Sequence, residues 1–523
     1  MANSLKASAR GLEIVDRARK KKGWTKKAPI WCQTALTAEA TLKRFWSGHR
    51  INRETFIKIC EAVDISNWQE IADMGALTDV YAVPKQDWGE APDVCGFFGR
   101  GEELSQLEEW IVNDNNCRVV ALYGIAGIGK TYLVKTLTSH IHDEFDYLFW
   151  RSLRQVPLVE NILADLWQFF YPDREFDISQ SFNETVSELI QFLRNNRCLI
   201  VLDDFDAVLQ SGDRTGSYLE GYEGYGELLK RLAETSTKSC LVLIGREKPR
   251  EIAAKERKAS PVRSHQLLGL QLSEAGEILL AKDLIFDKDD WEQLINIYRG
   301  HPLALQVVSS IIQELYDCSV TAFLKQKTIF LGDINLLLSQ QFKRLSNLEK
   351  EVIYWICLNR LPVSIFQLQM YTASLETSPL LEVLTSLGWR SLIERTTDND
   401  EVLFLLQPMV MKYVTTEFVE RICNEVYQKN LELLRSHPLV LQYEVEGRKT
   451  EFPYRSTILM VKDRLIKQFG SKSILIERLN DILSILKNNP AIETGYAKVN
   501  IYNLLEELNQ NTQSTMFLSC GLK

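Results

Sequence analysis

No run of 18 or more apolar residues occurs anywhere in the 523-residue sequence, so no membrane-spanning helix is expected. No apolar segment follows the start either. Met1-Ala2-Asn3-Ser4-Leu5-Lys6 leads into charged, helix-like sequence, so no secretory signal is expected. The ten cysteines, Cys32, Cys117, Cys198, Cys240 and Cys357 among them, are scattered and never form C-x-x-C. Six histidines do not add a cluster, so neither a disulfide framework nor a zinc site is expected. Several cysteines sit in apolar runs, where a reduced thiol acts as a small hydrophobe, and the expected compartment is a reducing cytosol. No Ser/His/Asp or Cys/His set presents itself in residues 1–80, which leaves a catalytic effector there with little support. No repeat is detectable in the roughly hundred residues from 420 onward.

What is present is an ordinary globular composition, 45% apolar and 25% charged, long enough for three to five domains. The net charge of −8 is unevenly spread. Residues 1–80 carry 14 Lys/Arg against 9 Asp/Glu, a balance of +5, and the remainder carries 47 against 60, a balance of −13. Residues 1–75 read as helical, with apolar faces built from Leu12, Ile14, Val15, Leu42, Phe45, Trp46, Phe56, Ile57 and Ile59. Tyr81 to Pro92, with Pro84, Gly89 and Pro92, has linker composition. From Phe97 to about Leu270, short β-rich runs alternate with helical stretches: Arg118–Tyr123, Tyr147–Arg151, Cys198–Leu202, Cys240–Ile244 and Gln266–Leu270. Nearly continuous apolar strands separated by helices predict a parallel sheet buried on both faces. A Gly- and Tyr-rich loop, 211–226, interrupts it, and beyond the sheet the sequence turns almost wholly helical.

Within that helical part, Ser346 and Glu349 form a capping box ahead of Leu348, Val352, Trp355 and Ile356. Ser364 and Gln367 form another, and Ser378-Pro379 opens a third helix. Ser391–Arg395 and Glu401–Gln407 then flank a polar turn, Thr396 to Asp400, as a hairpin. Three helices followed by a β-hairpin is a winged-helix order.

Gly124-Ile125-Ala126-Gly127-Ile128-Gly129-Lys130-Thr131 fits G-x-x-x-x-G-K-[ST]. Its glycines let backbone N–H groups converge on phosphate oxygens at the start of a helix, whose N-terminus favours anions. Lys130 would reach the β/γ-phosphates and the Thr131 hydroxyl would ligate Mg²⁺. The strand before the motif and the apolar helix after it strengthen the match over a plain glycine turn. Leu199-Ile200-Val201-Leu202-Asp203-Asp204 is an apolar strand ending in two carboxylates, as a Walker B strand does. Asp203 would hold Mg²⁺ through water, and Asp204 could orient or deprotonate an attacking water. A further strand ends in Gly245-Arg246, where an arginine could sense a γ-phosphate or be a solvated strand-end charge.

At this point the chain resembles the NB-ARC nucleotide-binding proteins of the STAND class, signalling P-loop ATPases that include plant resistance proteins and apoptotic-protease-activating factors. The resemblance spans about residues 95–415. Phe97-Phe98-Gly99-Arg100 with Glu103-Leu104 is similar to the family's entry motif, which implies that the backbone at Gly99 and Arg100 lies near the adenosine. Arg246 matches the family's first sensor arginine. Gly300-His301-Pro302-Leu303-Ala304 matches a motif of the following helical domain, which implies that Pro302 approaches the adenine. Two departures stand out. Ile244-Gly245-Arg246 lacks the hydroxyl that usually precedes the sensor arginine, and Gln407-Pro408 stands where many relatives carry His-Asp. Gln407 could still donate to a β-phosphate, whereas Pro408 cannot replace a carboxylate.

The implied layout is closest to bacterial members with a small N-terminal helical domain and terminal WD40 or pentapeptide repeats. It is a multidomain α/β plus α protein: a helix-turn-helix-like domain (1–80), a linker (81–96), a P-loop α/β domain (97–270), a helical domain (271–340), a winged-helix domain (341–420) and a helical C-terminal region (421–523). The expected function is a cytoplasmic ATP/ADP-binding switch with Mg²⁺, at most a slow ATPase, that forms a homo-oligomer in the ATP state. Its sensor would lie in the helical tail, in a partner protein, or in repeats that a shortened gene product has lost.

The N-terminal domain holds a basic run, Arg17, Arg19, Lys20, Lys21, Lys22, Lys26 and Lys27. Residues 35–48 resemble the recognition half of a Cro-type helix-turn-helix, with Thr41, Lys43 and Arg44 facing outward. Docked in a groove, such a module would contact phosphates and lose affinity with salt. The alternative is an all-helical protein-interaction domain. Both stay open from sequence: a signalling switch that recruits a protein partner, or a nucleotide-gated transcription regulator that binds DNA through residues 1–75.

Overall fold

The computed structural model describes residues 4–518, except 36, 38, 50, 66, 74–84, 95, 115, 175–180, 214–215, 258–259, 286, 327, 373–374, 399, 446–447, 452–455 and 488–493. The chain divides into two compact units, Met1–Lys85 and Gln86–Lys523.

The first unit contains the helices Ala9–Lys21, Pro29–Thr34, Glu39–Trp46 and Arg53–Glu61. Ser8 and Asn52 cap two of them by accepting from first-turn N–H groups. Their apolar faces close on one core: Val15, Trp31, Leu42, Phe45, Phe56 and Ile59 are fully buried. The Trp31 indole N–H donates to the Ile59 carbonyl at 3.2 Å, so its one polar atom is satisfied. A two-residue antiparallel pairing of Ser4–Leu5 with Ile51–Asn52 adds to the helical expectation. On the helix Glu39–Trp46, Lys43 and Arg44 are exposed and Thr41 is half-buried.

The second unit is built on a six-stranded sheet. From one edge its strands are Lys85–Asp87, Tyr147–Ser152, Cys198–Asp203, Cys240–Gly245, Val119–Tyr123 and Val262–Gln266. The last five run parallel. Cys198–Asp203 and Cys240–Gly245 are buried at every position, which explains their unbroken apolar runs.

Two boundaries differ from the sequence reading. The strand expected at Gln266–Leu270 is Val262–Gln266. At a sheet edge it tolerates Arg263, Ser264 and His265, and this hid its period. Leu267 and Leu270 are apolar because they cover the core after the strand ends, with their N–H groups on Tyr123 O and Gly300 O. In the expected linker, Tyr81–Pro84 lies outside the described residues, but Lys85–Asp87 is the edge strand. An Arg151–Asp87 ion pair at 2.6 Å and Lys135 stacked 3.5 Å over Trp88 hold that segment to the sheet.

Downstream, the helices Leu272–Leu280, Lys288–Tyr298, Pro302–Leu315, Val320–Leu324 and Ile334–Lys343 lead into Asn347–Asn359, Ile365–Tyr371 and Thr377–Trp389. Both capping boxes form, at Ser346/Glu349 and Ser364/Gln367. The third helix starts at Thr377, not after Ser378. Pro379 sits within its first turn, where a missing N–H loses no intrahelical bond. Glu394–Asp398 pairs with Glu401–Leu405, and the latter with Val363–Ser364. The hairpin begins later than expected because Ser391 is buried at a helix exit with φ +56°. The helix Pro408–Gln428 runs through the expected boundary at 420. Beyond it, a two-stranded pairing, Gln442–Val445 with Arg448–Glu451, precedes the helices Ser456–Phe469, Lys472–Lys487 and Ala497–Leu518.

Candidate functional site

The phosphate loop leaves the strand Val119–Tyr123 and ends in the helix Lys130–Ile141. Gly127 and Gly129 adopt φ +82° and +97°, left-handed values that turn the backbone inward and favour glycine. A Cβ on Gly127 would meet His301 Cε1 and Leu303 Cδ2 at 2.9 Å each. The N–H groups of Gly129, Lys130 and Thr131 find no hydrogen-bond partner among the described residues, the donor set an anion at a helix start uses. Lys130 is buried, its Nζ donating to Gly124 O at 2.9 Å and Ile125 O at 3.1 Å. Burial pulls its pKa down to about 8, against the opposing pull of Asp206 and Asp203.

Across the loop, the Thr131 hydroxyl donates to Asp203 Oδ1 at 3.3 Å. Burial, reinforced by Asp204, raises the Asp203 carboxyl to about 6. A hydroxyl beside a buried carboxylate fits a hard cation that completes its shell with phosphate oxygens and water. Among the described residues no cluster of three or more His, Cys, Asp or Glu stands ready to hold a metal alone. Asp204 takes φ +53° and points elsewhere: Ser152 Oγ donates to it at 2.9 Å and Arg154 pairs with it at 3.3 Å. Arg246 is turned onto the buried Asp206, which accepts from its backbone N–H and its Nε at 2.8 Å each. The guanidinium beside Asp206 is the first of the causes that hold that carboxyl low against its burial.

The expected adenosine-side residues divide in role. Gly99 has φ +63° and packs against Glu274. The Arg100 N–H donates to Glu274 at 2.7 Å, while its guanidinium is spent on Glu103, Ile128 O and Leu268 O. It therefore braces the phosphate loop from behind through the Ile128 carbonyl. Pro302 opens the helix Pro302–Leu315. Gln407 lines a cavity of about 770 Å³ together with Tyr123, Gln266, Leu268, Trp389 and Arg395. That volume is in the range of small-molecule sites.

Sequence reasoning missed His301 and Asp206. His301 Nε2 meets Ala126 O at 2.9 Å and its Nδ1 caps the helix at Ala304 N, so the downstream helix rests directly on the phosphate loop. Burial depresses this imidazole to about 4. The signal for His301 was its place before a helix-opening proline. Asp206 offered only a third acid after Asp203-Asp204.

A phosphate loop between a parallel strand and a helix, faced by a strand ending in paired carboxylates, defines a P-loop nucleotide-binding protein. Residues 100–212 match the NB-ARC domain, so this segment is an NB-ARC P-loop domain. Over 577 aligned residues it is 36% identical to an uncharacterised WD repeat-containing protein of Nostoc sp., which covers 96% of this chain and 45% of that protein. Over 116 residues it is 31% identical to the probable disease resistance protein RF45 of Arabidopsis thaliana, covering 21% of this chain and 11% of that one. The chain thus spans less than half the length of these curated relatives. Among solved structures, a STAND protein with a tetratricopeptide repeat sensor from Pyrococcus horikoshii aligns over 81% of this chain and 60% of its own, at 18% identity and a TM-score of 0.34. No helix among the described residues is long and apolar enough to cross a membrane.

Proposed function

We propose that this protein is an ATP/ADP-dependent signalling switch, in which nucleotide exchange controls opening and self-association and hydrolysis is slow or absent. The observation that carries this reading is the seat of His301 and Leu303 on the phosphate loop. Residues that face the nucleotide and residues of the downstream helices share one contact, so occupancy of the loop bears on how those helices sit. When bound, an adenine nucleotide with Mg²⁺ supplies phosphate oxygens to the loop and a charge that differs by one phosphate between its two forms. Gly129, Lys130 and Thr131 donate their N–H groups to it, and Lys130 exchanges loop carbonyls for phosphate oxygens. Thr131 and Asp203 would hold the cation. Arg246 leaves Asp206 only for a stronger anion, which suits a sensor of the terminal phosphate.

Slow hydrolysis follows from two local features. Gly245 carries no hydroxyl beside the arginine, and one oxygen of Asp204 is already occupied by Ser152 and Arg154. Nucleotide released from purified protein, identified for wild type and Lys130→Ala, tests the proposal together with native mass in ATP and in ADP. Wild type should carry adenine nucleotide that the variant lacks, and assemble only with ATP. Absence of any bound nucleotide, with no affinity for added ATP or ADP, sinks it.

A second reading, a nucleotide-gated regulator binding DNA through residues 1–75, draws on the exposed Lys43 and Arg44 of the helix Glu39–Trp46. In the first reading the same unit recruits a protein partner.

A further inference from the structure

The most deeply buried ion pairs of the second unit lie outside the phosphate loop. Glu247, the residue after Arg246, is 1% exposed. Its Oε1 accepts from Arg344 Nε at 2.6 Å and from Arg390 Nη1 at 2.5 Å. Arg390, itself fully buried, also donates through Nε to Glu349 at 3.0 Å and through Nη2 to Asp213 O at 2.9 Å. Arg344 Nη2 donates to the main-chain oxygens of Asp206 and Leu209 at 2.9 and 3.1 Å.

The partition of these groups matters. Arg344, Glu349 and Arg390 all belong to the helical block after the sheet, at the ends of Ile334–Lys343 and Thr377–Trp389 and the start of Asn347–Asn359. Glu247, just past the strand Cys240–Gly245, is the sheet-side carboxylate that Arg344 and Arg390 share. It follows Arg246, and Arg246 is held by the side chain of Asp206, whose main-chain oxygen is in turn held by Arg344. Arg246, Asp206, Arg344 and Glu247 thus form one closed circuit. Arg246 and Asp206 therefore bear on the segments that carry the partners of the Arg344 side chain, Glu247, Asp206 and Leu209.

We propose that Glu247 is a catch that holds the 344–391 block against the sheet, and that an anion drawing Arg246 away from Asp206 releases it. The catch itself stands on the ion-pair geometry; its release rests on the switch reading above. A guanidinium stripped of its carboxylate is penalised only while it stays buried. Loss of Glu247's charge therefore disfavours the closed arrangement and leaves an opened one, with Arg390 and Arg344 in water, untouched.

The test uses the full chain and Glu247→Gln, which keeps the shape and removes the charge. Hydrogen exchange without added nucleotide should become on the order of tenfold faster across 341–359 and 377–391, and fluorescently labelled ADP should dissociate faster by a similar factor. Unchanged exchange overturns the catch. Faster exchange with unchanged ADP release overturns its link to the phosphate site. If wild type binds no ADP, the switch reading fails, and the exchange comparison still decides the catch. Should Glu247→Gln not fold, Arg344→Lys keeps a charge for Glu247 but drops the contacts to Asp206 and Leu209, and the same two readouts apply with the same outcomes.

Discussion

Gly127 shows how much a single position carries. Its left-handed φ and its 2.9 Å approach to His301 and Leu303 both exclude a side chain, so Gly127→Ala strains the loop and lifts the helices resting on it. The expected cost is about 1–3 kcal/mol in denaturant unfolding, with a parallel loss of ADP affinity by calorimetry. An unchanged affinity would mean that the contact is idle. Two buried histidines lower stability in acid, opposed over the same window by Asp203, whose raised carboxyl protonates first in the folded chain. His301 and His437 are each pulled by burial from 6.5 to about 4. Their stabilising neutrality is complete above pH 6.5. As pH falls from 6.5 to 4, the unfolded chain takes up protons that the folded one refuses, and stability drops by up to about 3 kcal/mol for each. A denaturant midpoint followed across that window should fall, and His437→Gln should remove part of the slope; a flat wild-type profile rejects the assignment. At this scale the sequence was legible where chemistry is contiguous. Gly124 to Thr131 and Asp203-Asp204 announce themselves by spacing. His301 and Asp206 do not, because their partners Ala126 and Arg246 are 175 and 40 residues away.

Elements were readable wherever their ends carry local hydrogen bonds. The Ser346/Glu349 and Ser364/Gln367 boxes form as the spacing predicts, since each needs only residues three apart. Edge strands were not readable: Val262–Gln266 and Lys85–Asp87 bury little of their own length and carry no alternating pattern. The first box also hides a long-range role. One oxygen of Glu349 accepts from the Ser346 N–H, and the other accepts from Ser386 and from Arg390. Ser346→Ala should therefore cost only a cap, about 1 kcal/mol. Glu349→Ala should cost roughly 3–5 kcal/mol, because it leaves Arg390 buried beside an emptied pocket. Equal losses for the two variants in equilibrium denaturation would reduce Glu349 to a capping residue.

Across the whole molecule, charge is unevenly spread: +5 on residues 1–80 and −13 on the rest. The acidic body still offers an anion site, because backbone N–H groups and a buried Lys130 provide local positive potential that net charge does not report. Among its described residues, the basic head shows no such built site. Its lysines and arginines are spread over exposed positions, Arg17, Lys20, Lys21, Lys26, Lys27, Lys43 and Arg44. Such a surface acts through counterion release if it acts on DNA at all. Five phosphate contacts would give a log–log salt slope of about −4 to −5 for duplex binding by the full chain. Lys43→Glu with Arg44→Glu should then shallow the slope by about 2 and weaken binding uniformly across sequences. The titration, repeated with ATP and with ADP, also separates the two roles left for this unit. A slope that changes with nucleotide marks a gated regulator. No salt-dependent affinity in either state leaves the head as a protein-recruiting module, its positive charge answering an acidic partner surface.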